Sequence, residues 1–207
     1  MRFTLGFAIF NRPDKVIGFD NIPKKGPFVI VANHISHLDH FFIGAKVIER
    51  TDQKVHYIAK PRYWQWYGAQ KIADYTGTII YNETNKKESI NKAIKILKRG
   101  GIIAIFPEGT RNFHHELLRG HTGVARLVLG AKVPIVPVGY FGPHTYTAWD
   151  TIKHLYLLEA KIKIVFGKPI YYRKYYDQPI DKKLLKNVTD EIMHEVSKVC
   201  GKPYLYN

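Results

Sequence analysis

Short apolar runs rich in β-branched residues recur along this chain, with helix-patterned segments between them. They are PFVIVAN at Pro27–Asn33, GTIIY at Gly77–Tyr81, IIAIF at Ile102–Phe106 and PIVPV at Pro134–Val138. A strand buried on both faces reads this way, because each side of its pleat meets a core. Val55–Ala59 reads as a further strand. Lys161–Phe166 alternates charge with hydrophobe and predicts a half-exposed strand near an edge. Elsewhere the period changes. Lys86–Arg99 places Ile90, Ala93, Ile94 and Leu97 on one helical face, and Gly100 and Gly101 end it. Asp39 to about Arg50 and Thr122–Gly130 also read as helices. Asp181–Val199 carries a stripe of Leu184, Leu185, Val188, Ile192, Val196 and Val199. Strands alternating with helices predict an α/β sandwich with a central, mostly parallel sheet flanked by helices. Sites in such folds lie beyond the carboxyl ends of strands.

The length of 207 residues suits one domain, and no repeat, low-complexity tract or Ser/Gly linker divides it. We expect a short N-terminal segment over residues 1–25 and one domain over 26–207. The opening MRFTLGFAIF is apolar but too short to span a bilayer. It suits a membrane surface, an edge strand or a short packed helix. No run of about twenty apolar residues occurs, so no transmembrane helix is expected. The single cysteine, Cys200, excludes an internal disulfide and points to a reducing, cytoplasmic setting. Lys and Arg number 32 against 17 Asp and Glu, a formal net charge of +15. Such a chain is drawn to polyanions: nucleic acid, anionic lipid, or phosphorylated substrates. The basic residues are dispersed and form no recognised nucleic-acid motif, so a nucleic-acid partner is not expected.

Two motifs stand where a parallel sheet would put a site. The first, NHISHLD, follows the strand ending near Asn33 and brings His34, His37, Asp39 and His40 together. A metal reading fits poorly. The pattern H-x-H-x-D-H has one residue fewer between its first two histidines, and no later cluster supplies further ligands. A general base with an orienting carboxylate needs only His34 and Asp39. Residues five apart on a helix diverge by about 140°, so the pair meets only if His34 lies in the turn and Asp39 in the first helical turn. Ser36 as N-cap, with Asp39 three residues on, would form a capping box and produce that turn. The carboxylate would then fix the imidazole tautomer and leave its other nitrogen as the base. A plain capping box beside an unimportant histidine explains the same residues. His37 and His40 read as helix-face residues without chemistry.

The second motif, FPEGTR at Phe106–Arg111, follows the strand ending near Phe106 and has loop composition. Glu108 and Arg111 are charges beside a buried strand, where ion-pair or ligand duty is expected. Arg111 offers a planar fork suited to phosphate, and backbone N–H groups around Gly109 and Thr110 could form an anion nest or oxyanion donors. Arg119, Gly120 and Gly123 follow, with a helix start near Thr122.

Together and in this order the motifs carry a resemblance. NHISHLD matches the N-H-x-x-x-x-D block of the glycerolipid acyltransferases, and FPEGTR matches their F-P-E-G-T-R block. VPIVPV at Val133–Val138 and RGHTGVARL at Arg119–Leu127 are similar to further common stretches. The chain resembles the 1-acyl-glycerol-3-phosphate acyltransferase (PlsC-type) family from about Gly26 to Gly142, and GKPI at Gly167–Ile170 looks familial too. The resemblance implies a glycerolipid-acyltransferase-like sandwich and an acyl transfer. The donor would be acyl-CoA or acyl carrier protein, serving as co-substrate with no other cofactor. The acceptor would be the free hydroxyl of 1-acyl-glycerol 3-phosphate, giving phosphatidic acid. It implies His34 as base and Asp39 as its partner. It places Lys60, Glu108, Gly109, Thr110 and Arg111 at the acceptor, with Arg111 toward the phosphate, and it implies no metal.

One departure bears on the acceptor. The family often has an arginine just after the strand matching GTIIY, where this chain has Asn82 and Glu83. Glycerol 3-phosphate or another lysolipid therefore stays open as acceptor. A lipid acceptor also implies a lysophospholipid-bearing, anionic membrane surface as partner, at the cytoplasmic face. Trp64, Trp66 and Tyr67, flanked by Lys60, Arg62 and Lys71, would suit that surface. So would Arg2, Phe3, Phe7 and Phe10. A helix packing its aromatics inward explains the tryptophans equally well.

Overall fold

Every residue of strand β2 (Phe28–Ala32) is buried, and its alternation builds two cores at once. Phe28, Ile30 and Ala32 enter one, while Val29 and Val31 enter the other. A slip of one residue would exchange these sets, so the pleat itself fixes the register. In this computed structural model, which describes residues 13–61, 69–82, 84–145, 150 and 161–206, β2 lies at the middle of a seven-stranded sheet. The others are β1 (Lys15–Ile17), β3 (Val55–Ala59), β4 (Ile79–Ile80), β5 (Ile102–Ile105), β6 (Ile135–Phe141) and β7 (Lys163–Phe166). The order is β1-β7-β6-β2-β5-β3-β4. All pairs are parallel except β6 with β7. The mostly parallel α/β sheet expected from the sequence is thus present.

Helix α1 (Asp39–Thr51) covers one face through Phe42, Ile43 and Val47. Helices α3 (Lys86–Lys98), α4 (Gly123–Ala131) and α5 (Lys182–Cys200) cover the other through Ala93, Leu97, Val124, Leu127, Val188 and Ile192. Burying each such aliphatic side chain contributes about 1.5–3 kcal/mol. Side chains set the helix ends. Asn85 accepts the Glu88 N–H to start α3, and Asp181 accepts the Leu184 N–H at 2.7 Å to start α5. Gly201, at φ 70°, ends α5. Beside that same end β6 passes so close to α5 that a Cβ on Gly139 would lie 2.3 Å from the Val199 carbonyl oxygen.

Two placements differ from the sequence reading. Residues 15–17, assigned to a separate N-terminal segment, form a strand of the sheet, Lys15 pairing with Lys163, and Ile22, only 1% exposed, packs into the core. A three-residue strand is too short to show a period. β7 lies next to the edge strand β1 and alternates in exposure, as expected. Helix α2 (Ala69–Thr76) was also not foreseen. Residues 1–12 and 62–68, which hold Arg2, Phe3, Phe7, Phe10, Arg62, Trp64, Trp66 and Tyr67, lie outside the described residues. Among the described residues, no helix is long and apolar enough to cross a membrane.

Candidate active site

Chain connections leave the neighbouring strands β2 and β5 in opposite directions. The segment after β2 passes beyond β5 to β3, whereas β5 leads back across to β6. The crevice at the carboxyl end of β2 is therefore a topological switch point, and both motifs open into it. Asn33, 1% exposed, seals its floor. Its side-chain amide donates to the Tyr140 carbonyl at 3.0 Å, and its carbonyl oxygen accepts the Tyr140 N–H at 2.8 Å. One side chain thereby extends the β2–β6 ladder beyond the last strand residue.

His34 and Asp39 meet as the turn geometry required. The imidazole Nδ1 lies 2.8 Å from Asp39 Oδ2. The same oxygen accepts the N–H groups of Ile35 and Ser36 at 3.0 and 3.1 Å. The carboxylate is 0% exposed and the histidine side chain 22%, so the ring is held from inside and open to the crevice on its other side. Phe106 stacks on it at a centroid distance of 4.4 Å. The capping box is displaced from its expected form. α1 begins at Asp39, with Leu38 as its cap, and Ser36 Oγ accepts the Leu38 N–H instead of one farther into the helix. The return bond from Ser36 N–H to Asp39 survives, and that bond bends the turn toward His34.

Glu108 is 3% exposed and engaged on both oxygens. Oε1 accepts the His34 N–H at 3.1 Å. Oε2 accepts the Asn112 amide at 2.5 Å and the Leu118 N–H at 3.0 Å. The Asn112 N–H closes the loop by donating to the His34 carbonyl at 2.6 Å. Glu108 thus binds one motif to the other, with both carboxylate oxygens engaged inside the protein. The Gly109 N–H, considered above as an anion or oxyanion donor, donates to the Phe106 carbonyl. Gly109 itself is at φ 68°, with His121 so close that a Cβ would lie 2.7 Å from it. Thr110 is exposed, and Lys60 is exposed just beyond β3. The Arg111 guanidinium donates to the Thr145 carbonyl and lies 5.8 Å from the Phe113 ring.

The other two histidines flank this pair. His37 sits in the turn, not on the helix, and its N–H donates to Thr145 Oγ1 at 2.7 Å. Burial lowers its pKa, followed by the nearby Arg111 and His34 charges, against an opposing pull from Asp39. His40, on α1, has its Nδ1 3.9 Å from Asp39 Oδ1, and its ring is packed by Phe41 and Tyr57. Burial pushes its pKa down to about 4, with Asp39 opposing. Among the described residues no group of three or more His, Cys, Asp and Glu side chains is arranged to hold a metal ion.

Residues 15–141, more than half of the chain, match the Acyltransferase family. The chain belongs to the acyltransferase family. The 1-acyl-sn-glycerol-3-phosphate acyltransferase of Bacillus subtilis is 29% identical over 193 residues, covering 91% of this chain and 88% of that one. The enzyme of the same name from Saccharomyces cerevisiae is 30% identical over 148 residues, but this chain spans only 44% of its length. The solved structure of the 1-acyl-sn-glycerophosphate acyltransferase PlsC from Thermotoga maritima superposes with a TM-score of 0.66. It covers 94% of this chain and 76% of that one at 22% identity, a likeness of fold.

Three residues of this acyltransferase escaped the sequence reading: Asn33, Asn112 and Thr145. Asn33 and Asn112 carried a signal, since Asn33 opens the NHISHLD motif, Asn112 directly follows FPEGTR, and a buried amide must find partners. Thr145 carried none. Asn82, where the family often has arginine, is occupied at the start of α3. Its Oδ1 accepts the Thr84 N–H, the Thr84 hydroxyl and the Asn85 N–H, and its amide donates to Glu88 at 3.2 Å.

Proposed function

We propose that this acyltransferase moves a fatty acyl group from a thioester, on coenzyme A or acyl carrier protein, to the free hydroxyl of 1-acyl-glycerol 3-phosphate, forming phosphatidic acid. The observation that carries the reading is the His34 imidazole held at 2.8 Å by a fully buried Asp39 carboxylate. With Nδ1–H given to Asp39, Nε2 is free to take the hydroxyl proton. The oxygen attacks the thioester carbonyl, and the carbon–sulfur bond breaks as the tetrahedral intermediate collapses. The thiolate then takes the proton from His34. Asp39 stabilises the imidazolium between these steps, a contribution of about 10²–10⁴ in rate for the base. Arg111 and Lys60 attract the acceptor phosphate. Glu108 serves by holding the His34 backbone rather than by touching substrate. The names of the relatives favour this acceptor.

A second reading keeps the chemistry and changes the acceptor to glycerol 3-phosphate or another lysolipid. It rests on Asn82, whose side chain is engaged within the protein where relatives offer a cation. With a lysolipid acceptor the enzyme works peripherally on an anionic, cytoplasmic-face membrane, because that acceptor lies there.

Purified protein given labelled acyl-CoA and acyl carrier protein with a panel of acceptors tests both readings. Wild type is expected to acylate 1-acyl-glycerol 3-phosphate best. His34→Ala should abolish transfer, and Asp39→Asn should lower kcat by about 10²–10⁴. A folded His34→Ala protein with full activity would remove the general-base mechanism. Free fatty acid without acylated product would make the enzyme a hydrolase.

A further inference from the structure

Thr145 lies just past β6, on the segment that leaves the sheet beside the crevice, and is fully buried. Two of its groups contact both motifs. Its Oγ1 accepts the His37 N–H at 2.7 Å and lies 3.0 Å from Ser36 Oγ, a pair in which either hydroxyl can donate. Ser36 Oγ in turn accepts the Leu38 N–H at 3.1 Å. The Thr145 carbonyl accepts the Arg111 guanidinium. The hydroxyl therefore holds the turn between His34 and Asp39, while the carbonyl of the same residue holds the arginine of the other motif.

We propose that Thr145 is a positioning residue that sets the distance between the base His34 and the phosphate-facing Arg111. The inference rests on the acyl-transfer reading above and deepens it. In a glycerophosphate the separation between reacting hydroxyl and phosphate is fixed by a few bonds. The protein must present base and cation at a matching span, and a misplacement of about 1 Å can cost about 10² in rate. A buried hydroxyl with one donor and two acceptor sites is suited to this duty. Its bonds are directional, and removing the hydroxyl takes away the acceptor of the His37 N–H. Glu108 ties the same two motifs from below, through the His34 backbone and the loop interior. Thr145 ties them at the Arg111 guanidinium, where the acceptor phosphate would arrive.

The test compares Thr145→Val, which keeps the shape and removes the hydroxyl, with Thr145→Ser, which keeps the hydroxyl. Thermal unfolding confirms that each is folded, and Thr145→Cys replaces the valine variant if that one is not. With 1-acyl-glycerol 3-phosphate and an acyl thioester, Thr145→Val is expected to raise the acceptor KM and lower kcat/KM by about 10–10², while the donor KM stays unchanged. Thr145→Ser should recover to within about threefold. In an Arg111→Ala background, Thr145→Val should add less than about twofold, because two residues acting on one contact are not additive. Three results would overturn the proposal: equal increases in donor and acceptor KM, a serine variant no better than valine, or full additivity with Arg111→Ala. Wild-type protein inactive on every acceptor would remove the acyl-transfer reading and this proposal together.

Discussion

Two histidines flank the Asp39 carboxylate, and their fates differ. His34 bonds to Oδ2, whereas His40 stands 3.9 Å from Oδ1, beyond hydrogen-bond range. Oδ1 is buried and has no hydrogen-bond partner among the described residues. With its pKa at about 4 against 6.5 for a free imidazole, His40 is neutral in the folded protein near neutrality. Between those values the unfolded chain binds the extra proton, so stability rises with pH. The contribution is fully present above pH 6.5 and is lost as pH falls toward 4. Thermal melts across that range should therefore show a falling midpoint, with a shallower fall in His40→Phe. Parallel slopes for the two proteins would show that His40 titrates normally. At this scale the spacing of His34 and Asp39 was legible, because a turn followed by a helix leaves few ways for residues five apart to meet. Thr145 was not legible, since its contacts span more than a hundred residues and leave no local pattern.

Among elements, legibility followed length and burial. β2, β5, α3 and α5 lie within a residue or two of their expected bounds, because each carries a full period of apolar positions. β1 has three residues, which is too few to show one, while β4 keeps two of the five residues expected at Gly77–Tyr81. The close crossing of β6 and α5 depends on a single glycine. A Cβ at residue 139 would lie 2.3 Å from the Val199 oxygen, 2.6 Å from its carbon and 2.8 Å from the Cys200 Cα. All are backbone atoms at the end of a helix that buries Val196 and Cys200, so no flexible side-chain tip can yield. Gly139→Ala is expected to lower unfolding stability by about 1–3 kcal/mol in urea titrations. A change below about 0.5 kcal/mol would mean that the helix end moves freely.

At the scale of the whole molecule, the formal charge of +15 favours encounter with anionic surfaces wherever the apolar contacts lie. Raising salt from about 0.1 M to about 1 M shortens the screening length from about 10 Å to about 3 Å. Co-sedimentation with anionic vesicles should fall steeply over that range, and neutral vesicles should capture little protein at either end. Binding that ignores salt would instead point to apolar insertion. Composition made this charge legible, but not where it acts, because dispersed lysines mark no single face.

His34 and Glu108 are 74 positions apart in the chain, yet they emerge from β2 and β5, which pair side by side with Val31 opposite Ile105. Lys60 and Asn82 both lie on the stretch between β3 and α3, outside that junction. The cluster of His34, Asp39 and Glu108 therefore does not depend on the length of that stretch. Under the acyl-transfer reading, changes in its length or charge would alter what is held, while the ladder between two neighbouring strands keeps His34 and Glu108 side by side.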